Sequence, residues 1–204
     1  MSFLNKCVLL FCAFWCVTIT SFATQNYFGL NQVSFDGVDY YLRWSANSPA
    51  NTYIEDFLPK NSPLTRFSEK FSIYYITNKS FDAIVKAKED ELTLAKQESQ
   101  VNFFYRTNTK PTSDVIFDYF SELEQGGNVL VAQHSVFRYV KKGSHVLVFE
   151  WVQRSYSSIS KFEKHVSKKR AGWVSEISKF KVPSIDIADS NIKCKNNQRE
   201  RKKS

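Results

Sequence analysis

Asp36-Gly37 lies between two stretches in which apolar and polar residues alternate, and Asp-Gly in that setting marks a two-residue hairpin turn. Pairing Phe35 with Val38 sets the register. Val33, Phe35, Val38, Tyr40, Leu42 and Trp44 then share one face, with Ser34, Asp39, Tyr41, Arg43 and Ser45 on the other. A chain that begins this way is committed to antiparallel sheet with one face against a core. A second hairpin is legible in Asn128 to Tyr139 and His145 to Arg154, joined through Lys141-Lys142-Gly143-Ser144. Both of its faces are apolar: Val131, Phe137, Val146 and Val148 on one, Leu130, Val136, Leu147, Phe149 and Trp151 on the other. Such a pair belongs in the middle of a sheet, covered on both sides.

Between the hairpins the signals change. From Ala46 to Arg66 periodicity is lost and three of the five prolines occur (Pro49, Pro59, Pro63), so the stretch reads as a long loop, either an irregular connection packed on the body through Tyr53, Ile54, Phe57 and Leu58 or one that carries Tyr53, Glu55, Asp56 and Phe57 toward a partner. Lys70 to Thr77 is rich in aromatic and β-branched residues and reads as a strand. Ser80 is placed to cap a helix whose apolar stripe is Phe81, Ile84, Val85, Leu92 and Ala95, interrupted by Lys88. Gln100 to Thr107 is the next strand. A helix is expected from Ser113 to the Gly126-Gly127 stop, with Val115, Ile116, Tyr119, Phe120 and Leu123 on its core face and Asp114, Asp118 and Glu122 as a solvated acidic stripe. A last helix runs from about Ser157 to Phe180. The expected fold is α+β: a mixed, mainly antiparallel sheet of about six strands with two to three packed helices.

At 43% hydrophobic and 24% charged, the 204-residue chain is no disordered polymer. Its ends are different in character. Met1 to Ala23 has one cation, Lys6, then the run Val8 to Val17, then Ser21-Phe22-Ala23, which are the three parts of a secretory signal. A membrane anchor or a lipidated cysteine is the rival reading, opposed by the small residues at the end of the segment and by the bulky aromatics before Cys12 and Cys16. Cleavage after Ala23 leaves only Cys194, so no internal disulfide is available. The organisation is therefore a signal peptide at 1–23, one domain over 24–183 with no transmembrane segment after cleavage, and a basic disordered tail at 184–204.

The net charge of +8 hints at nucleic acid until it is divided along the chain. Residues 1–156 hold 15 Lys/Arg and 15 Asp/Glu, whereas residues 157–204 hold 13 against five, so the whole excess belongs to the last helix and the tail. The aromatics are on core faces and the cations on a helix surface, which disfavours nucleic acid and points to an envelope protein or an anionic surface, met through Lys168, Lys169 and Arg170.

Zinc-protease, nucleophile-elbow, phosphate-loop, dinucleotide and EF-hand patterns are missing, and one mature cysteine with three histidines makes a Cys/His metal site nearly unbuildable. No cofactor and no metal are expected. Glu150, alone among apolar neighbours, calls for a partner such as Arg106, Arg138 or Arg154. His134 is expected opposite Trp151 as a satisfied sheet histidine.

Glu55-Asp56-Phe57-Leu58-Pro59-Lys60 followed by Arg66-Phe67-Ser68-Glu69-Lys70-Phe71, with Trp44 upstream and Val148-Phe149-Glu150-Trp151 downstream, resembles a family of small uncharacterised secreted proteins of Gram-negative bacteria. It departs from their pattern at Lys60 and Phe67, where the family has glycine and tryptophan. The resemblance implies a periplasmic or secreted location and carries no catalytic residue. The function expected is an exported, non-enzymatic binding or accessory protein of the bacterial envelope. The alternatives are an envelope hydrolase built around Glu150 and His134, or a secreted effector acting on a host target.

Overall fold

In the computed structural model of the protein, residues 24–48, 51–98, 100–109, 113–125, 128–183 and 185 are described. The expected signal segment and the basic tail, Cys194 included, lie outside them, Ile185 apart.

The first turn forms as its sequence requires. Asp36 and Gly37 both take positive φ, 48° and 74°, and β1 (Gln32–Phe35) pairs with β2 (Val38–Ser48) with Phe35 opposite Val38. β3 (Thr52–Pro59) and β4 (Glu69–Ile76) complete a four-stranded meander. α1 (Phe81–Gln97) follows, capped by Ser80, whose Oγ accepts from the Ala83 amide at 3.2 Å. β5 (Val101–Asn108), β6 (Val115–Gln125), β7 (Asn128–Lys142) and β8 (His145–Ser155) form a second meander, and α2 (Ile159–Lys179) closes the order. Chain order is thus four strands and a helix, twice. The meanders join through β4 and β8, giving one eight-stranded sheet, β1-β2-β3-β4-β8-β7-β6-β5, with every neighbour antiparallel.

This corrects the expected fold: eight strands replace six, no parallel pair occurs among them, and among the described residues two helices flank a curled sheet. Two misread segments account for the difference. Ser113 to Gln125 has apolar residues at helical spacing, yet it divides equally well by alternation into Val115, Phe117, Tyr119 against Ile116, Asp118, Phe120. Pairing with β7 along the whole length of β6 settles the choice in favour of strand. The expected loop at 46–66 contains β3. Its alternation was hidden because the inward set Tyr53, Glu55, Phe57 has an acid at its centre.

The sheet curls around α2. The β1–β2 turn reaches that helix through Trp173 Nε1 donating to Asp36 Oδ2 at 2.8 Å, and the opposite edge reaches it through Arg170 stacked on Tyr105 at 4.0 Å. The concave core therefore holds Phe35, Tyr40, Phe57, Phe71, Ile73, Phe149 and Trp151 beneath Phe162, Val166, Trp173 and Ile177 of α2. α1 packs on the convex face, where Val85 and Leu92 meet Val115, Phe117, Phe137, Val146 and Val148. The central strands are covered on both sides, as the two apolar faces of the second hairpin require.

Candidate functional site

The predicted β3 residues separate on folding. Tyr53, Glu55 and Phe57 point into the concave core and are buried. Asp56 points to the convex side, where Lys70 Nζ sits at 3.1 Å and Ser72 Oγ donates at 2.6 Å. Strand alternation forbids these four from forming one surface.

Glu55 has a structural task. Its Oε1 accepts the amides of Tyr27 at 2.5 Å and Phe28 at 3.1 Å, pinning the segment that precedes β1, while Oε2 is buried with no hydrogen-bond partner among the described residues. Burial pushes its pKa up to about 6 against the two amides, which pull it down.

Glu150 and His134 also lie on opposite faces, so no single site holds both. His134 is opposite Gln153 rather than Trp151, because the turn closes at Lys142 and His145, one residue later than the sequence register implies, which moves each partner by two. Among the described residues Glu150 finds no arginine: it accepts a short hydrogen bond from the Tyr74 hydroxyl. Burial first, and then the charge of Glu150, hold the Tyr74 phenol well above its ordinary pKa, so it remains a donor. The arginines expected as its partners are used elsewhere: Arg106 on Glu89, Arg138 on Asp114, Arg154 on Gln133.

The basic set is likewise divided. Lys168 and Lys169 are exposed on the outer face of α2, joined there by Lys161 and Lys164. Arg170 turns inward and gives Asp118 Oδ2 two hydrogen bonds, one from Nε at 2.9 Å, while His134 Nε2 lies 2.6 Å from Asp118 Oδ1. At the far end of the helix Arg138 donates to the carbonyls of Ile177 at 3.1 Å and Phe180 at 2.7 Å, and its other side grips Asp114 at 2.6 Å. Arg138 thereby caps a helix terminus whose carbonyls lack partners within the helix.

Asp114 and Asp118, expected on a solvated stripe, are thus buried anchors. With Trp173 they fix α2 so that its apolar stripe and both ion pairs face in and four lysines face out. Among the described residues no carboxylate pairs with Lys161, Lys164, Lys168 or Lys169. A positive surface held on a rigid helix attracts anions over about a Debye length, ~8 Å at physiological salt. Among the same residues, no helix is long and apolar enough to cross a membrane.

No curated protein matches the chain. Among solved structures it is similar to the crystal structure of PA94, a protein of unknown function from Pseudomonas aeruginosa, at 13% identity and a TM-score of 0.37, over 76% of this chain and 97% of that one. A protein-family model matches residues 30–182, from just before β1 to just past α2, and the chain belongs to that family.

Proposed function

We propose that this is an exported, non-enzymatic binding or accessory protein of the bacterial envelope, one of the small secreted proteins of Gram-negative bacteria, and that it meets an anionic partner with the outer face of α2. The observation that carries the reading is the set Lys161, Lys164, Lys168 and Lys169, exposed and, among the described residues, without a carboxylate partner, on a helix locked in place by Asp114, Asp118 and Trp173. The signal-like segment Met1 to Ala23 supports export. The partner is then a leaflet or polymer of the envelope that presents phosphate or carboxylate groups.

Each lysine near an anionic surface contributes about 1 kcal/mol, so four are worth ~4 kcal/mol, or about three orders of magnitude in affinity. The test is co-sedimentation with phosphatidylglycerol vesicles at low and high salt. Wild type binds at low salt and is released as salt rises, and the variant with all four lysines changed to glutamate stays in solution. Equal binding by the two proteins overturns the reading. Cell fractionation tests the location separately, since recovery in the cytoplasm contradicts export.

A further inference from the structure

We propose that β5 is a self-association edge, at which two copies of the chain join their sheets by antiparallel pairing of β5 with β5. This rests on the sheet edge and is independent of the reading of α2.

Among the described residues β5 is the outermost strand and pairs only with β6. Among the described residues, its eight positions make no backbone hydrogen bond on their outer side. Backbone donors and acceptors in a row of that length are a template for another strand. The opposite edge is different. β1 has four residues, and its turn is tied down to α2 where the Asp36 amide donates to Glu176 at 2.7 Å.

The usual protections are missing from β5. Val101–Asn108 contains neither lysine nor proline, and its bulge, between Val101 and Phe103, lies at the start of the strand. Its one charge, Arg106, is neutralised by Glu89 at 2.6 Å. The guanidinium beneath Tyr105 belongs to Arg170 and is neutralised by Asp118. Tyr105 itself is 50% exposed and contacts Phe103 at 5.5 Å.

These facts select the occupant. With both arginines already paired, neither copy of the strand brings an unneutralised charge of its own to the seam; the one other cation beside it among the described residues is Lys96 of α1, whose Nζ lies 5.9 Å over the Phe104 ring. Antiparallel partners must share a face, so a two-fold axis through Tyr105 sets Tyr105 against its own copy, Phe103 against Thr107 and Phe104 against Arg106. Aromatic and aromatic–cation pairs of that kind stabilise neighbouring strands. The interface is isologous, and its axis stands normal to the sheet. Both α2 helices therefore lie on the same side of the joined sheet.

Sedimentation velocity over a concentration series, with hydrogen exchange measured at each concentration, tests this on the purified protein. The expected result is a micromolar monomer–dimer equilibrium in which β5 amides slow as concentration rises while β1 amides do not. Tyr105→Lys, which sets two ammonium groups face to face, should raise the dissociation constant tenfold or more. A protein that stays monomeric to its solubility limit overturns the proposal. So does a dimer whose β5 amides exchange as fast as in the monomer, an outcome that wild type alone decides if the variant does not fold.

Discussion

Replacing Glu55 by glutamine tests the buried carboxylate at the start of the fold. In the native chain Oε1 accepts two amides and Oε2 is enclosed without a partner, so the ionised form is poorly solvated and the pKa rises from 4.5 to about 6. A carboxyl that binds its proton more tightly when folded stabilises the protein fully below the unfolded pKa, and the contribution is lost as pH rises through the folded one. Between pH 4 and pH 7.5 the loss is ~2 kcal/mol. Glutamine resembles the protonated side chain, since it keeps the carbonyl acceptor for Tyr27 and Phe28 and carries no charge. Wild type and Glu55→Gln should therefore be about equally stable at pH 4, and the variant more stable by ~2 kcal/mol at pH 7.5, about 4–8 °C in Tm for a chain of this size. Urea unfolding at several pH values, followed by tryptophan fluorescence, measures the difference directly. A difference that does not vary with pH refutes the assignment of a strained, ionisable Glu55. A variant less stable at pH 7.5 shows that the ionised carboxylate is a net benefit to the segment it pins.

Asp118→Asn leaves His134 and Arg170 facing a neutral amide in a buried site and should cost about 3–5 kcal/mol, read as a lowered urea midpoint; a midpoint within error of wild type would show that Asp118 is not what fixes α2. Tyr74→Phe strips Glu150 of its buried donor, with an expected loss of ~1–3 kcal/mol, and unchanged stability would mean that water replaces the hydroxyl. Gly37→Ala places a side chain at φ 74° and should cost about 1 kcal/mol without affecting β5–β8, whereas an equally stable variant would place the turn in another conformation. Truncation after Pro183 removes most of the remaining positive charge and should weaken attachment to anionic vesicles at low salt, while unchanged attachment would leave the tail no part in it.

What could be read from the sequence depended on how local each determinant is. The Asp36-Gly37 turn, the Ser80 cap and the two apolar faces of the second hairpin are fixed by residues within a few positions of one another and form as read, although that hairpin closes one residue later than its sequence register. Trp44 shows the limit: alternation placed it with Tyr40 and Leu42, but a bulge between Leu42 and Trp44 turns it to the other face, where it is 41% exposed. The stretch from Ser113 to Gln125 suits a helix as well as a strand, because Asp114, Asp118 and Glu122 and the apolar residues between them fit both periods, and only pairing to β7 distinguishes them. β3 was missed because Glu55 occupies a core position, for which the Tyr27 and Phe28 amides are the compensation. Arg170 was read as one of a basic trio with Lys168 and Lys169. Its exchange of solvent for Asp118, 52 residues away in sequence, is a tertiary event that no spacing along α2 announces. The segregation of positive charge to the C-terminal quarter is legible in the sequence, and folding places four of those cations, Lys161, Lys164, Lys168 and Lys169, on the outer face of α2.

The most direct test of the account is a lysine-acylation footprint of the protein in the envelope fraction of its own host, normalised to the purified protein. Lys161, Lys164, Lys168 and Lys169 should be protected there, while Lys86, exposed on α1, reacts as it does in solution. Equal reactivity of all five lysines in the two preparations would contradict an anionic partner on α2.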